Sequence, residues 1–421
     1  MSAASEFSAE HPAARGAGYR ALTTRLLHLL LFVAILASPF VFIEPSPYEV
    51  FVGLLALGAL AAGVTIDRKV MPLLFLLLIW NVSGLVALLP VLYDSKAVMF
   101  IAVSFYMAMT AIVFTCLFAH DSERRLEIMR AAYILAGLIA AVIGIVGYFY
   151  LVPGAWENFT LYNRAKGTFK DPNVFGPYLV LPILFLIQGM LIKGLKFRHV
   201  VAAFTILVAL LLSFSRAAWG HFIFSAALMI ALMFVASPSA RFRARLASFS
   251  VLTTLGVGLL LAGMLSIGTI GAVFKERASL TQDYDAGDSG RFTQQQNSIP
   301  VLLERPNGLG PFQFYKYYGQ DPHDVYLNAF ASYGWVGGFS YAIFVLFTLW
   351  AGYANVLKRT PWQPYFIAAL ATYTGVVFEG LVVDTDHWRH YYLLMGIVWG
   401  LAIATLNAER MAARLTHPRC A

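Results

Sequence analysis

The chain has 421 residues, of which 59% are hydrophobic and 12% charged, with a mean hydropathy of +0.70 and a formal net charge of +8 at pH 7. Soluble domains carry about twice that charged fraction, so a string of soluble domains is excluded. The positive surplus reflects loop bias and anionic lipid, and a nucleic-acid partner is not expected.

Apolar stretches of about 17 to 25 residues, each able to cross a bilayer as a helix, recur along nearly the whole chain. The expected spans are Leu26 to Ile43, Tyr48 to Ile66, Val70 to Leu92, Ala97 to Ala119, Ile128 to Val152 and Val174 to Ile192. They continue as Val200 to Phe214, Ala217 to Ala236, Phe249 to Val273, Val325 to Val356, Tyr365 to Val383 and Tyr391 to Asn407. This predicts an all-α polytopic membrane protein of about 12 transmembrane helices. Residues 1–25 form an N-terminal segment, 26–273 hold the first nine spans, 274–324 a long loop, 325–407 the last three spans and 408–421 a tail. The seventh span is short, and the tenth is long enough to begin with an interfacial piece.

With loops on alternate sides, one side collects roughly two thirds of the 30 lysines and arginines, among them Arg68, Lys69, Arg124, Arg125, Arg241, Arg243 and Arg245. That bias assigns this side, and both termini, to the cytoplasm. The first apolar run lacks a small-residue cleavage site and reads as an anchor. Cys116 lies inside a span and Cys420 at the cytoplasmic end, which rules out a shared disulfide or metal site.

On the other side lie polar groups that topology does not explain. Arg164, Lys170 and Asn173 belong to Arg-Ala-Lys-Gly-Thr-Phe-Lys-Asp-Pro-Asn, where Asp171-Pro172-Asn173 makes a turn suited to capping the next helix, while Arg164 and Lys170 are candidates for phosphate or sugar. Ser213-Phe214-Ser215-Arg216 is a tight turn that leaves Arg216 at the membrane surface. A guanidinium there suits a lipid diphosphate, because its planar fork donates two hydrogen bonds and keeps its charge when partly desolvated.

The long loop carries Ser289-Gly290-Arg291 and the glycine-rich Asn307-Gly308-Leu309-Gly310-Pro311, and ends in Pro322-His323-Asp324-Val325-Tyr326-Leu327. Arg291 opens a helical stretch and is placed to reach the same anion from the loop side. His323, with an ordinary pKa of about 6.5, is the side chain best suited to take a proton from a sugar hydroxyl near neutral pH. Asp324 and Tyr326 follow it at the start of the next helix.

After the eleventh span come Asp384-Thr385-Asp386, His387, Trp388, Arg389 and His390. The aspartate pair resembles a metal-bound diphosphate motif, but no metal is expected. The loop reads either as an acceptor rim including Asp386 and Arg389, or as an interfacial anchor through Trp388 and Tyr391. Glu379 is the notable acid near a span's interior. No Walker or dinucleotide fingerprint is present, so neither nucleotide hydrolysis nor hydride transfer is supported.

Four segments together resemble the bacterial O-antigen ligase family, within the wider group of O-antigen polymerases and O-linked oligosaccharyltransferases. They are Gly167 to Asn173, Phe214-Ser215-Arg216, Ser289-Gly290-Arg291, and Gly308-Leu309-Gly310 followed by His323 to Leu327. The resemblance implies a GT-C-like, inverting, metal-independent glycosyltransferase of the bacterial inner membrane that uses no cofactor. Its substrates would be undecaprenyl diphosphate-linked O-antigen and lipid A-core, joined at the periplasmic face. It implies His323 as general base and Arg216 with Arg291 on the diphosphate. Asp324 stands where the commoner pattern has asparagine, and either tunes His323 or caps the helix. The alternatives are an O-antigen or capsular polymerase and a polysaccharide-lipid transporter; one dominant long loop favours ligase.

Overall fold

The computed structural model describes residues 12–43, 45–278, 290–320 and 322–416. Helices α1 (Pro12–Ala37), α2 (Pro47–Ala61), α3 (Met71–Leu88), α4 (Ser95–Ala119) and α5 (Ser122–Tyr148) lead to a short α6 (Ala155–Phe159) and a two-stranded hairpin, β1 (Thr160–Leu161) and β2 (Arg164–Ala165). The chain continues through α7 (Pro172–Tyr178), α8 (Val180–Lys193), α9 (Phe197–Leu212), α10 (Arg216–Ala236), α11 (Ala240–Leu265) and α12 (Gly268–Ala278). It ends with α13 (Arg291–Leu303), α14 (Phe314–Tyr318), α15 (Val325–Tyr353), α16 (Gln363–Glu379) and α17 (Arg389–Thr416).

Eight helical segments among the described residues are long and apolar enough to cross a membrane, and Ala21–Ala37, Pro47–Ala61 and Phe197–Leu212 are shorter apolar helices. The α16 helix falls in neither group: Thr372, Tyr373, Thr374 and Glu379 dilute its apolar run, and protein rather than lipid surrounds its buried middle. The hub is Pro172–Lys193, whose most apolar stretch is 94% buried, whereas none of the most apolar stretch of α11 is buried, which makes α11 the least buried of the eight. Around the hub, α4 packs on α17, α3 on α15, α10 on α16, and α1 on α2 and α5.

Several edges differ from the sequence expectation, each for a local reason. The first helix stops at Ala37, because Pro39 disfavours helix at the residue before it. The ninth begins at Ala240, capped by the Ser239 hydroxyl, which accepts from the Phe242 N–H at 3.3 Å, so Arg241, Arg243 and Arg245 belong to the helix. The last runs from Arg389 to Thr416, taking in residues expected to be loop and tail. The long polar stretch is itself partly helical, holding the end of α12 and all of α13 and α14; Ser289 and Cys420 lie outside the described residues.

The tenth helix is interrupted at Gly334, whose φ of 72° and ψ of −174° belong to a region open essentially to glycine. A break frees backbone groups that must find partners. Here Leu309 and Gly310 N–H both donate to Ala331 O (2.7 and 3.1 Å), Trp335 N–H donates to Pro306 O (2.8 Å), and the Ser83 hydroxyl donates to Tyr333 O (2.6 Å). The glycine-rich turn is thus stitched into the kink, and Leu302, Leu309, Phe314 and Ala331 form a small second core beneath it.

Two sets of contacts define the ends of the bundle. At one end Lys69 and Asp67 bond Asn407, and Lys358 pairs with Glu409. At the other, Val41 N–H donates to Thr168 O, Val325 N–H to Gly380 O (2.8 Å), and Lys316 pairs with Asp94 (3.3 Å). The polar residues singled out in the sequence gather at this second end.

Candidate active site

Arg164 organises one half of this end. The hairpin turn at Tyr162 and Asn163, both with positive φ, feeds β2, where Arg164 is 8% exposed. Its Nε donates to Ser213 O (2.8 Å) and its Nη2 to Asn173 Oδ1 (2.6 Å). Asn173 lies in the first turn of α7, with its N–H donating to the capping Asp171 Oδ1 (2.6 Å). The candidate pair Arg164 and Asn173 is therefore joined to the turn that carries Arg216. Gly176 permits the approach: a Cβ there would lie 2.6 Å from Ala218 Cβ and 2.9 Å from Ser213 Oγ. Replacing Arg164 with alanine should leave Ser213 O and Asn173 without their donors, costing about 1.5–3 kcal/mol per bond. A fall in the unfolding temperature of detergent-purified protein, with Arg164→Lys recovering only part of it, is the expected result.

Arg216 is the first residue of α10 and partly exposed. It follows Phe214, which is buried with φ of 45°, and the N-cap Ser215, whose hydroxyl accepts from Ala218 N–H at 3.4 Å. A buried aromatic in left-handed backbone is uncommon and holds the turn tight. Arg291 is the first residue of α13 after the N-cap Gly290; its side chain lies outside what the structure describes.

His323 is exposed and itself left-handed, with φ of 48°. The backbone on both sides is held: Gln295 of α13, one turn after Arg291, donates from Nε2 to Pro322 O (2.7 Å), and Val325 N–H donates to Gly380 O. Strained residues of this kind persist where their surroundings over-determine them, and they cluster at functional sites. Gln295 thereby brings α13 to the histidine.

Asp324 caps α15, its Oδ1 accepting from Tyr326 N–H (2.9 Å) and Leu327 N–H (3.1 Å). Burial pushes its carboxyl above the ordinary aspartate range, against the pull of those two N–H donors. The folded chain then binds this proton at a pH where the unfolded chain has released it. Its contribution to stability is full below the unfolded value of about 3.9 and falls as pH rises through the raised folded value. Thermal unfolding of wild type and Asp324→Asn from pH 3.5 to 7 should show this slope in wild type only. Tyr326 turns inward, its hydroxyl donating to Val377 O (3.0 Å).

The loop after α16 is more buried than its composition suggested. Asp386 is 2% exposed with Oδ2 3.1 Å from His387 Nδ1, and His387 Nε2 lies 3.0 Å from Phe100 O while its ring stacks on Phe100. Trp388 and Tyr391, read from sequence as interfacial anchors, are instead buried in protein, Trp388 against His390 and Tyr391 against Tyr373. Arg389 Nε donates to Glu49 Oε1, while Glu49 Oε2 accepts from Ser46 N–H. Lys170 and Arg389 line one cleft of about 120 Å³ with Ser38, Phe169, Tyr178 and Trp388, and Arg164 is not part of its lining.

Arg216, Arg291, Asn173, Asp324 and Arg389 all stand at or beside helix starts. The starts of α7, α10, α15 and α17 share one end, where aligned peptide dipoles leave partial positive charge. Such an end favours an anion. Sequence reading missed Gln295 and Ser213 as tethers, since neither has a motif; the Ser46-x-x-Glu49 capping pattern was a local signal for Glu49 alone.

Residues 201–342 match the O-antigen ligase family model. That region, about a third of the chain, is similar to the O-antigen ligase family. The match runs from within α9 to within α15, so it takes in Arg216, Arg291, the Gly308-Leu309-Gly310 turn and His323. Arg164, Asn173 and Arg389 lie outside it. The O-antigen ligase family covers ligases and related polymerases and consists of glycosyltransferase-like enzymes. No curated protein matches the chain.

Proposed function

We propose that the protein is an O-antigen ligase, transferring glycan from undecaprenyl diphosphate to the outer core sugar of lipid A-core. One observation carries the reading: an exposed, left-handed His323 held at the same end of the bundle as Arg216 and the start of the Arg291 helix, in a region that matches the ligase family. In this reading the bundle makes twelve passes in a GT-C-like arrangement, with both termini cytoplasmic and the site end facing the periplasm of the bacterial inner membrane. The bias of lysine and arginine toward the opposite end supports that orientation.

The chemistry is inverting displacement. His323 takes the proton of the acceptor hydroxyl as its oxygen bonds to the anomeric carbon from the face opposite the leaving group. The bond to the diphosphate breaks with its electron pair, and the charge that develops is met by Arg216, Arg291 and the helix starts. The donor's diphosphate bond supplies the driving force, and no metal or cofactor takes part.

The test is direct. Purified protein, lipid-linked O-antigen and lipid A-core, mixed with chelator, should yield a ladder of longer lipopolysaccharide on a gel. Longer lipid-linked chains with unmodified lipid A-core would mark a polymerase instead, and flux across vesicles without product would mark a transporter.

A further inference from the structure

Glu379 is the acid that the transfer chemistry leaves unused. It is 4% exposed, and its Oε2 lies 2.9 Å from Nδ1 of His221, which is 3% exposed. The other ring nitrogen, Nε2, lies 3.0 Å from Thr372 O. A carbonyl only accepts, so Nε2 carries a hydrogen, and the short Nδ1 to Oε2 contact holds a second proton on one atom or the other. Each link is directional, unlike the apolar contacts around it. Gly375 makes room for the pair, since a Cβ there would lie 2.2 Å from both His221 Cδ2 and Ser225 Oγ.

The pair sits between the two halves of the site. His221 lies five residues into the helix that Arg216 opens, about 7.5 Å along its axis. Glu379 immediately precedes Gly380, whose carbonyl accepts from Val325 N–H, and the Tyr326 hydroxyl donates to Val377 O one turn earlier on α16. A bonded path therefore runs from the Arg216 helix through His221 and Glu379 to the segment that begins α15 with His323 and Asp324. We propose that the His221–Glu379 pair is a positioning device that sets the rotation and axial register of α10 on α16, and so the placement of Arg216 relative to His323. The inference rests on the ligase reading for its catalytic consequence, while the register itself does not depend on it.

Pulsed electron-spin measurements separate the two. Spin labels would be placed on Gly220→Cys, where an added Cβ meets nothing within 4 Å, and on the half-exposed Leu381→Cys, in a background with Cys116 and Cys420 replaced by serine. The unmodified pair should give one narrow distance distribution. Glu379→Ala should broaden it and lower kcat roughly 10- to 100-fold, with the donor KM changing less. Glu379→Gln should keep the narrow distribution and most of kcat, because an amide N–H can donate to Nδ1 of the neutral ring. The His221→Leu, Glu379→Leu double variant removes both polar groups, a change that folded proteins commonly tolerate, so it covers the case in which Glu379→Ala fails to fold. It should be stable yet broad and slow.

A narrow distribution with unchanged kcat in the double variant would overturn the proposal. So would a Glu379→Gln protein that is narrow but inactive, since charge rather than position would then be at stake. An unmodified protein that is narrow but makes no glycan product would count against the ligase reading alone.

Discussion

His323→Ala should abolish the glycan ladder while leaving the protein folded. The side chain is exposed, and the segment is held through the Pro322 carbonyl, the Asp324 cap and the Val325 N–H rather than through the imidazole packing in a core. Loss of a general base costs about 10²- to 10⁴-fold in rate. Alanine also keeps a left-handed φ less readily than histidine, so His323→Asn, which tolerates that region and lacks a base, is the cleaner variant. Both should be inactive with unfolding temperatures near wild type. Arg216→Ala should lose about 2.7–4 kcal/mol of transition-state stabilisation, the amount typical for removing one such donor. Arg216→Lys should recover little, because a lysine cannot offer the planar fork. Near-normal ladders from the histidine variants would remove His323 from the chemistry.

Gly334→Ala should be the most damaging single substitution outside the charged residues. The new Cβ would meet Pro306 O at 2.6 Å and Asn307 C at 2.8 Å, both backbone atoms, in a conformation with φ of 72°. Strain and overpacking together come to roughly 2–6 kcal/mol. Gly308→Ala should behave alike, since its Cβ would sit 2.7 Å from Ala331 O and 2.8 Å from Gly334 N. Gly319 shares the positive φ but has nothing within 4 Å, so Gly319→Ala should cost only about 1–2 kcal/mol of backbone strain. Unfolding temperatures measured in detergent would rank the three. Equal effects would mean that the kink is not stitched to the glycine-rich turn as described.

In the segments that resemble the ligase family, Gly308 and Gly310 bear on the architecture of the kink, where the turn satisfies carbonyls freed in α15, whereas the proposed chemistry falls to His323 and Arg216. Asp324 is a helix cap whose carboxyl accepts two backbone N–H bonds, which resolves one of the two roles open to it in the sequence. The loop of Asp386 to His390 shows the opposite case. Its polar composition suggested a surface, yet Asp386, Trp388 and His390 are all buried, with His387 set against Phe100 and His390 against Tyr178 of distant helices.

What the amino-acid sequence determined by itself follows from local rules. Long apolar runs must become helices in lipid, because no water is there to satisfy a bare backbone, and the bias of lysine and arginine orders the loops into two sets. Helix starts were legible at Asp171 and Asp324, since capping depends on residues two or three positions away. Only the tertiary structure decided which helices are central and which face outward, because Pro172–Lys193 and α11 have similar hydropathy and opposite burial. It alone joined Arg164 to Ser213, Gln295 to Pro322 and His221 to Glu379, contacts that bridge 27 to 158 positions of chain. A hydrogen bond between residues that far apart leaves no periodicity or spacing to read; its geometry exists only once the helices have packed.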